Sequence, residues 1–257
     1  MSKMLRILII LMMALSLPLS TAFAHNGHHG HHDHGKDNLV ALGDSVPYGY
    51  APDRNNAKPA HYAYPYQIGK YADLKVHNLA VPGWQTDDLL YALENNKKFR
   101  QAVKRADYVT VQIGGNDFLE VLRAAQLESK GDMKKFHRLL QHKLAKSDAF
   151  DNINEIIKEI RSLTKARIVL YNLYNPFQLN DPLHKVADMY LPQLNAMYKN
   201  IADSYKRVSL ADAYRAFGDN QAKFVYKGDI HPTKAGHAAL AKIGLKALKR
   251  EYAHHRN

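Results

Sequence analysis

From Asn38 onward, short apolar runs alternate with longer segments whose apolar residues recur every three or four positions. Leu39-Val40-Ala41-Leu42, Val76 to Val81, Tyr108 to Ile113, Ile168 to Leu173 and Val208-Ser209-Leu210 have the length and composition of buried strands. Between them, Thr86 to Leu93 reads as a helix with Thr86 as N-cap and acids in its first turn. Phe150 to Leu163 puts Ile153, Ile156, Ile157 and Ile160 on one helical face. A last helix from Thr233 to about Tyr252 carries Ala239, Leu240, Ile243, Ala247 and Leu248 as its buried stripe. Lys242, Lys246, Lys249 and Arg250 load its outer face and its C-terminal end. Strands alternating with helices predict an α/β fold, a parallel sheet with right-handed crossovers and helices on both faces.

In such sheets ligands bind beyond the carboxyl ends of the strands. The polar residues just past each run are therefore the candidates: Asp44 and Ser45, then Gly83, then Asn116 and Asp117. The stretch from Phe118 to Ser147 is long and basic, with Lys134, Lys135, His137, Arg138, His142, Lys143 and Lys146 beside an apolar face of Leu139, Leu140 and Leu144. It reads either as an ordinary amphipathic surface helix or as a cap over the site that meets a negatively charged interface.

Composition adds bounds. The chain has 257 residues, 46% hydrophobic and 23% charged, which excludes disorder and supplies one sizeable core. Residues 38–257 read as a single domain. The N-terminus reads differently: Lys3 and Arg6 precede the apolar run Ile7 to Leu15, and Ala22-Phe23-Ala24 offers a cleavage signal. That run is too short for a membrane anchor, so residues 1–24 are expected to be a signal peptide and the protein secreted or cell-wall associated. Residues 25–37 follow as a flexible tail with six histidines: His25, His28, His29, His31, His32 and His34. They either chelate a divalent metal weakly or are simply solvated. No cysteine is present, which excludes disulfides, thiolate metal sites and cysteine nucleophiles. The net charge of +12 favours anionic surroundings such as wall polymers or phospholipid head groups, and no nucleic-acid recognition motif accompanies it.

Three segments carry the chemistry. In Gly43-Asp44-Ser45-Val46-Pro47 a serine follows a buried strand, where a strand-to-helix turn exposes its hydroxyl beside free backbone N–H groups. Pro47 distinguishes this turn from the Gly-x-Ser-x-Gly elbow. In Gly114-Gly115-Asn116-Asp117 two glycines admit a close backbone approach, Asn116 can aim an N–H at a developing oxyanion, and Asp117 is expected to cap the next helix. In Gly228-Asp229-Ile230-His231-Pro232-Thr233 a histidine lies on a loop stiffened by proline, with a carboxylate two positions away.

Together these segments resemble the SGNH hydrolases, the GDSL-type esterases and lipases. Gly43-Asp44-Ser45 is similar to the nucleophile block, Gly83 to the glycine block, Gly114-Gly115-Asn116-Asp117 to the asparagine block and His231-Pro232 to the histidine block. All four stand in the family's order. Tyr171 to Phe177 also resembles a segment of exported bacterial members. The resemblance implies a flavodoxin-like three-layer sandwich of about five strands in the order 2-1-3-4-5. It implies Ser45 as nucleophile, His231 as general base, an oxyanion hole of the Ser45 and Gly83 N–H groups with the Asn116 amide, and no metal or organic cofactor. The family's acid stands three residues before its histidine, a position that Gly228 fills here. Either Asp229 reaches His231 instead, or a backbone carbonyl orients the imidazole and the pair works as a dyad. Asp44 reads as a structural hydrogen-bonding residue.

The activity so implied is secreted serine esterase or lipase chemistry on a lipid, an acylated glycan or a small acyl ester. Two alternatives stand beside it: an O-acetyl esterase or acyltransferase on cell-wall polymers, and a non-catalytic metal- or wall-binding secreted protein. Tyr48, Tyr50, Tyr62, Tyr64 and Tyr66, with Trp84, read as an aromatic substrate groove or as ordinary packing.

Overall fold

The computed structural model describes residues 36–254, with side chains described to residue 249. The leader at residues 1–24 and all but the last two residues of the histidine-rich segment lie outside that range.

Five strands form one parallel sheet: β1 (Asn38–Gly43), β2 (Lys75–Asn78), β3 (Tyr108–Gln112), β4 (Arg167–Tyr171) and β5 (Val208–Ala211). Their order is β2-β1-β3-β4-β5, the doubly wound, flavodoxin-like arrangement. Eleven helices are described: α1 (Ser45–Tyr48), α2 (Tyr64–Ala72), α3 (Thr86–Asn95), α4 (Lys97–Lys104), α5 (Gly115–Ser129), α6 (Met133–Lys146), α7 (Ala149–Leu163), α8 (Pro182–Asp203), α9 (Ala213–Phe217), α10 (Gln221–Phe224) and α11 (Lys234–His254).

Alternation along the strands builds both cores. On β4, Ile168 and Leu170 point into a core shared with Leu89 of α3, Val103 of α4 and the four isoleucines of α7. Val169 and Tyr171 point the other way, onto Tyr64 and Ile68 of α2 and Leu240 and Leu248 of α11. Both faces of the sheet are covered, so its inner strands are largely apolar, whereas the edge strand β2 keeps only Val76 as an apolar residue. Each buried Leu, Ile or Val contributes roughly 1.5–3 kcal/mol.

Three strands end earlier than their apolar runs, β3 by one residue and β2 and β4 by more. The run from Val76 to Val81 leaves β2 after Asn78, whose Oδ1 accepts from Ala80 N–H at 3.1 Å while its amide donates to Pro47 O at 2.7 Å. The chain still follows β1, because Leu79 N–H reaches Ala41 O and Val81 N–H reaches Gly43 O. The run from Ile168 to Leu173 leaves β4 after Tyr171. There the Asn195 side chain accepts from Leu173 N–H at 3.0 Å and donates to Leu173 O at 2.9 Å, acting as a one-residue strand partner. This pins the loop after β4 onto α8.

The caps also differ from expectation. α3 starts at Thr86 with Gln85 as N-cap in a capping box with Asp88. Thr86 instead donates its hydroxyl to Asp117 Oδ1 at 2.6 Å, and Asn152 of α7 donates to the same hydroxyl at 3.1 Å. Asp117 therefore does not cap its own helix, whose N-cap is Gly114; it also accepts Thr86 N–H and so ties α5 to the start of α3.

α5 and α6 form an antiparallel pair over the carboxyl edge of the sheet, joined by a three-residue turn. Ala125, Phe136 and Leu140 make a small core between them, separate from the two sheet cores, with Val186 and Tyr190 of α8 packed against it.

Candidate active site

The carboxyl edges of β1 and β3 set the site. Gly43 closes β1 with φ of +141°, and a Cβ there would stand 1.9 Å from the Gln112 carbonyl oxygen of β3. Only glycine lets the two strands part at this distance. Asp44 follows as N-cap of α1, accepting Val46 N–H at 2.9 Å. Ser45 is thereby the first residue of a helix, where the backbone N–H has no intrahelical acceptor.

His231 comes from the other end of the chain. Its loop is a tight hairpin closed by the Val225–Pro232 bridge, with Tyr226 N–H donating to His231 O at 3.0 Å and Asp229 N–H donating to Tyr226 O at 3.1 Å. Tyr174 O–H holds the loop from beneath through Ile230 O at 2.7 Å. Within it, Asp229 Oδ1 accepts His231 N–H at 2.8 Å, an Asx turn that folds the carboxylate back toward the ring. The same oxygen lies 2.5 Å from His231 Nδ1, and His231 Nε2 lies 2.9 Å from Ser45 Oγ. A spacing of two residues thus brings carboxylate and imidazole together, through the turn itself.

Burial pushes the Asp229 carboxyl up, but the N–H groups and charge of His231 outweigh it and hold the carboxyl below its ordinary range. An ionised carboxylate only accepts, so the imidazole's Nδ1–H donates to it and Nε2 is left to accept the Ser45 hydroxyl proton. Tyr50 packs its ring 4.5 Å from the imidazole.

Asn116 lies in the first turn of α5, which begins where Gly114 turns left-handed at φ +105°. A Cβ on Gly114 would meet the Tyr198 hydroxyl at 2.3 Å, a group that donates to Ile113 O at 2.7 Å. One N–H of the Asn116 amide donates to Trp84 O at 2.8 Å, which fixes it beside the Gly83 loop. An amide has two, so one remains for a ligand oxygen. Among the described residues Gly83 N–H has no protein acceptor.

From Ser45 and Asn116 an apolar cleft runs beneath the helical pair. Its walls are Leu119 and Leu122 of α5, Leu140 and Leu144 of α6, Leu173, Pro176 and Phe177 of the loop after β4, and Val186, Tyr190, Leu191 and Leu194 of α8. The basic stretch is thus two helices whose apolar faces line the cleft. Tyr48, Tyr50, Tyr62, Tyr64, Tyr66 and Trp84 do not line it. Tyr64 is core against Tyr171, Tyr48 bonds Asn56 O, Tyr62 packs on His237, and Trp84 stacks on Phe99. α8 and its contribution went unread in the sequence, although Val186, Tyr190 and Leu194 recur at the i, i+4, i+8 spacing that marks such a face. Among the described residues no group of three or more His, Asp or Glu could hold a metal ion.

The fold and the family match together define an ester-hydrolysing enzyme. Residues 41–239, most of the chain, match the model of the GDSL-like lipase/acylhydrolase family, so the chain belongs to that family. It is 29% identical over 230 residues to the protein YpmR of Bacillus subtilis, covering 83% of this chain and 82% of that one. It is also 27% identical over 168 residues to the spore germination lipase LipC of Bacillus licheniformis, covering 63% of this chain and 73% of that one. The fold is that of the lipase Lip_vut3 from a goat rumen metagenome, with a TM-score of 0.65 at 24% identity, over 82% of this chain and 97% of the other. Family membership sets aside the reading of the chain as a non-catalytic binding protein.

Asp44 behaves unlike Asp229. Burial, with Asp117 nearby, raises its carboxyl to about 7 against the lowering contributed by Val46 N–H. Its value in the folded chain exceeds that in the unfolded chain, so Asp44 favours folding while protonated. That contribution is complete below about pH 4 and is lost as pH rises through about 7. Asp44→Asn keeps an acceptor for Val46 N–H and removes the buried charge. Its melting temperature is expected to match wild type near pH 4 and to exceed it by several degrees at pH 8.5. Parallel melting curves for the two proteins across that range would contradict this.

Proposed function

We propose that the protein is a secreted serine esterase of lipase type, hydrolysing carboxylic esters through an acyl-enzyme on Ser45. One observation carries the reading: a hydrogen-bonded line from Asp229 through His231 to Ser45 that ends at the mouth of an apolar cleft. Ser45 Oγ attacks the ester carbonyl carbon while His231 Nε2 takes its proton, and Asp229 stabilises the imidazolium so formed. The negative charge moves to the carbonyl oxygen, where Ser45 N–H, Gly83 N–H and the Asn116 amide are the donors; one such donor is worth roughly 3–4 kcal/mol in comparable enzymes. The tetrahedral adduct collapses, the C–O bond breaks, and His231 returns its proton to the departing alcohol. Water then repeats the sequence on the acyl-serine, releasing the carboxylic acid.

The cleft supports an ester with an extended acyl chain, because each methylene moved from water into it contributes about 0.8 kcal/mol. An acetyl group would leave those leucines unoccupied, so the lipid ester is preferred over O-acetyl esterase or acyltransferase action on wall polymers. The name of the similar lipase LipC points the same way. The leader read at residues 1–24 supports extracellular lipid as substrate.

Ser45→Ala is expected to abolish both ester hydrolysis and covalent labelling by a fluorophosphonate while the circular dichroism spectrum is retained. Full labelling of the folded variant would overturn the assignment. Leu144→Trp, which fills the cleft from α6, is expected to lower kcat/KM for a p-nitrophenyl decanoate at least tenfold and to leave the acetate within about twofold, since ~1.4 kcal/mol is tenfold. Equal losses on both esters would place the acyl chain elsewhere.

A further inference from the structure

The outer face of the helical pair is built unlike its inner one. α6 carries Lys134, Lys135, Arg138, Lys143 and Lys146 and no acidic residue. Of these, among the described residues, only Lys143 is ion-paired, to Glu128. The acid at the turn, Asp132, is engaged in accepting Lys135 N–H as N-cap. The helix ends that flank the turn also display two large apolar side chains to solvent, Leu127 near the end of α5 with 78% of its surface exposed and Met133 at the start of α6 with 56%. Neither lines the cleft, and among the described residues neither belongs to an apolar core cluster. Cations set around exposed apolar side chains suit one kind of surface: an anionic head-group layer with hydrocarbon immediately below.

We propose that this helical pair docks the enzyme on a bilayer containing anionic phospholipid, with α6 against the head groups and Leu127 and Met133 entering the layer. The proposal rests on the esterase reading for its purpose, because the same two helices form a wall of the acyl cleft and so put the cleft beside the lipid. A wall polyanion would satisfy the lysines and leave Leu127 and Met133 in water, which is why the bilayer is the favoured partner. No described helix is long and apolar enough to cross a membrane, so the contact is a surface one.

The test measures sedimentation with vesicles of phosphatidylcholine alone or with about one third phosphatidylglycerol. It is done in a Ser45→Ala background so that lipid is not consumed. The expected result is binding to the anionic vesicles only. That binding should weaken about 100-fold in Lys134→Glu/Lys135→Glu/Arg138→Glu at low salt, at the energy expected per cation. Leu127→Ser/Met133→Ser should lose the fraction of binding that survives 0.5 M salt, a concentration chosen because it screens to about 4 Å. With Ser45 present, both variants should hydrolyse a soluble p-nitrophenyl butyrate at the wild-type rate. Equal binding to neutral vesicles, or unchanged binding by the charge-reversal variant, would overturn the proposal. So would retention on a soluble glycerol-phosphate polymer equal to that on vesicles and indifferent to Leu127→Ser/Met133→Ser, which would assign the surface to wall polymers. Inactivity of the wild type on the soluble ester, with vesicle binding intact, would count against the esterase reading and leave the docking surface standing.

Discussion

Everything at this site depends on one contact, the approach of His231 Nε2 to Ser45 Oγ across 186 positions of sequence. Neither residue can reach the other by local structure alone. Ser45 is delivered by β1, which ends against β3 so closely that Gly43 has no room for a side chain. His231 is delivered by a hairpin that Tyr174, Thr233 and the Val225–Pro232 bridge hold from three sides. The cores on the two faces of the sheet fix these supports relative to each other, which is how ordinary hydrophobic burial becomes a hydrogen bond of 2.9 Å.

Asn116, the side chain proposed as an oxyanion donor, and the apolar cleft share an origin. α5 carries Asn116 in its first turn and continues as the wall bearing Leu119 and Leu122, so one helix presents both that amide and a side of the cleft. Its start is fixed twice: Asp117 is tied to Thr86, and the Asn116 amide to Trp84 O. The opposite wall is positioned by Asn195, which binds the loop after β4 to α8. Polar pairs buried in this way cost little when fully satisfied, and they fix a geometry that leucines alone would leave loose.

Much of this was legible in the chain. Apolar runs located the strands, the inner ones because a sheet covered on both faces needs them, while the edge strand β2 keeps only Val76 of its run as an apolar residue; the α7 isoleucines declared their face by spacing. The residues just beyond the strands were the site candidates, since a doubly wound sheet leaves only its carboxyl edge open. The less legible features all depend on tertiary partners. β2 stops at Asn78 because of Pro47, which is 31 residues away. Thr86 looked like a cap and is a bridge, because its hydroxyl donates to Asp117 while accepting from Asn152. α8 hides behind Pro182 and Pro192, residues that ordinarily punctuate a helix; here the first stands at its N-terminal turn and the second within it. The reach of Asp229 could not be decided from spacing, because it follows from an Asx turn whose closure depends on the bridge around it.

The relay itself is tested most directly by turnover of Asp229→Asn on a soluble p-nitrophenyl ester, measured with the fold checked by circular dichroism. The amide keeps the size of the carboxylate and loses its charge, so the imidazolium formed during attack is no longer stabilised. The comparable change in a serine protease lowers turnover ~10⁴-fold. A loss of at least about 10³-fold with an unchanged fold is the predicted result. Turnover within about tenfold of wild type, or ~1.4 kcal/mol, would show that Asp229 only shapes its loop and that Ser45 and His231 act as a pair.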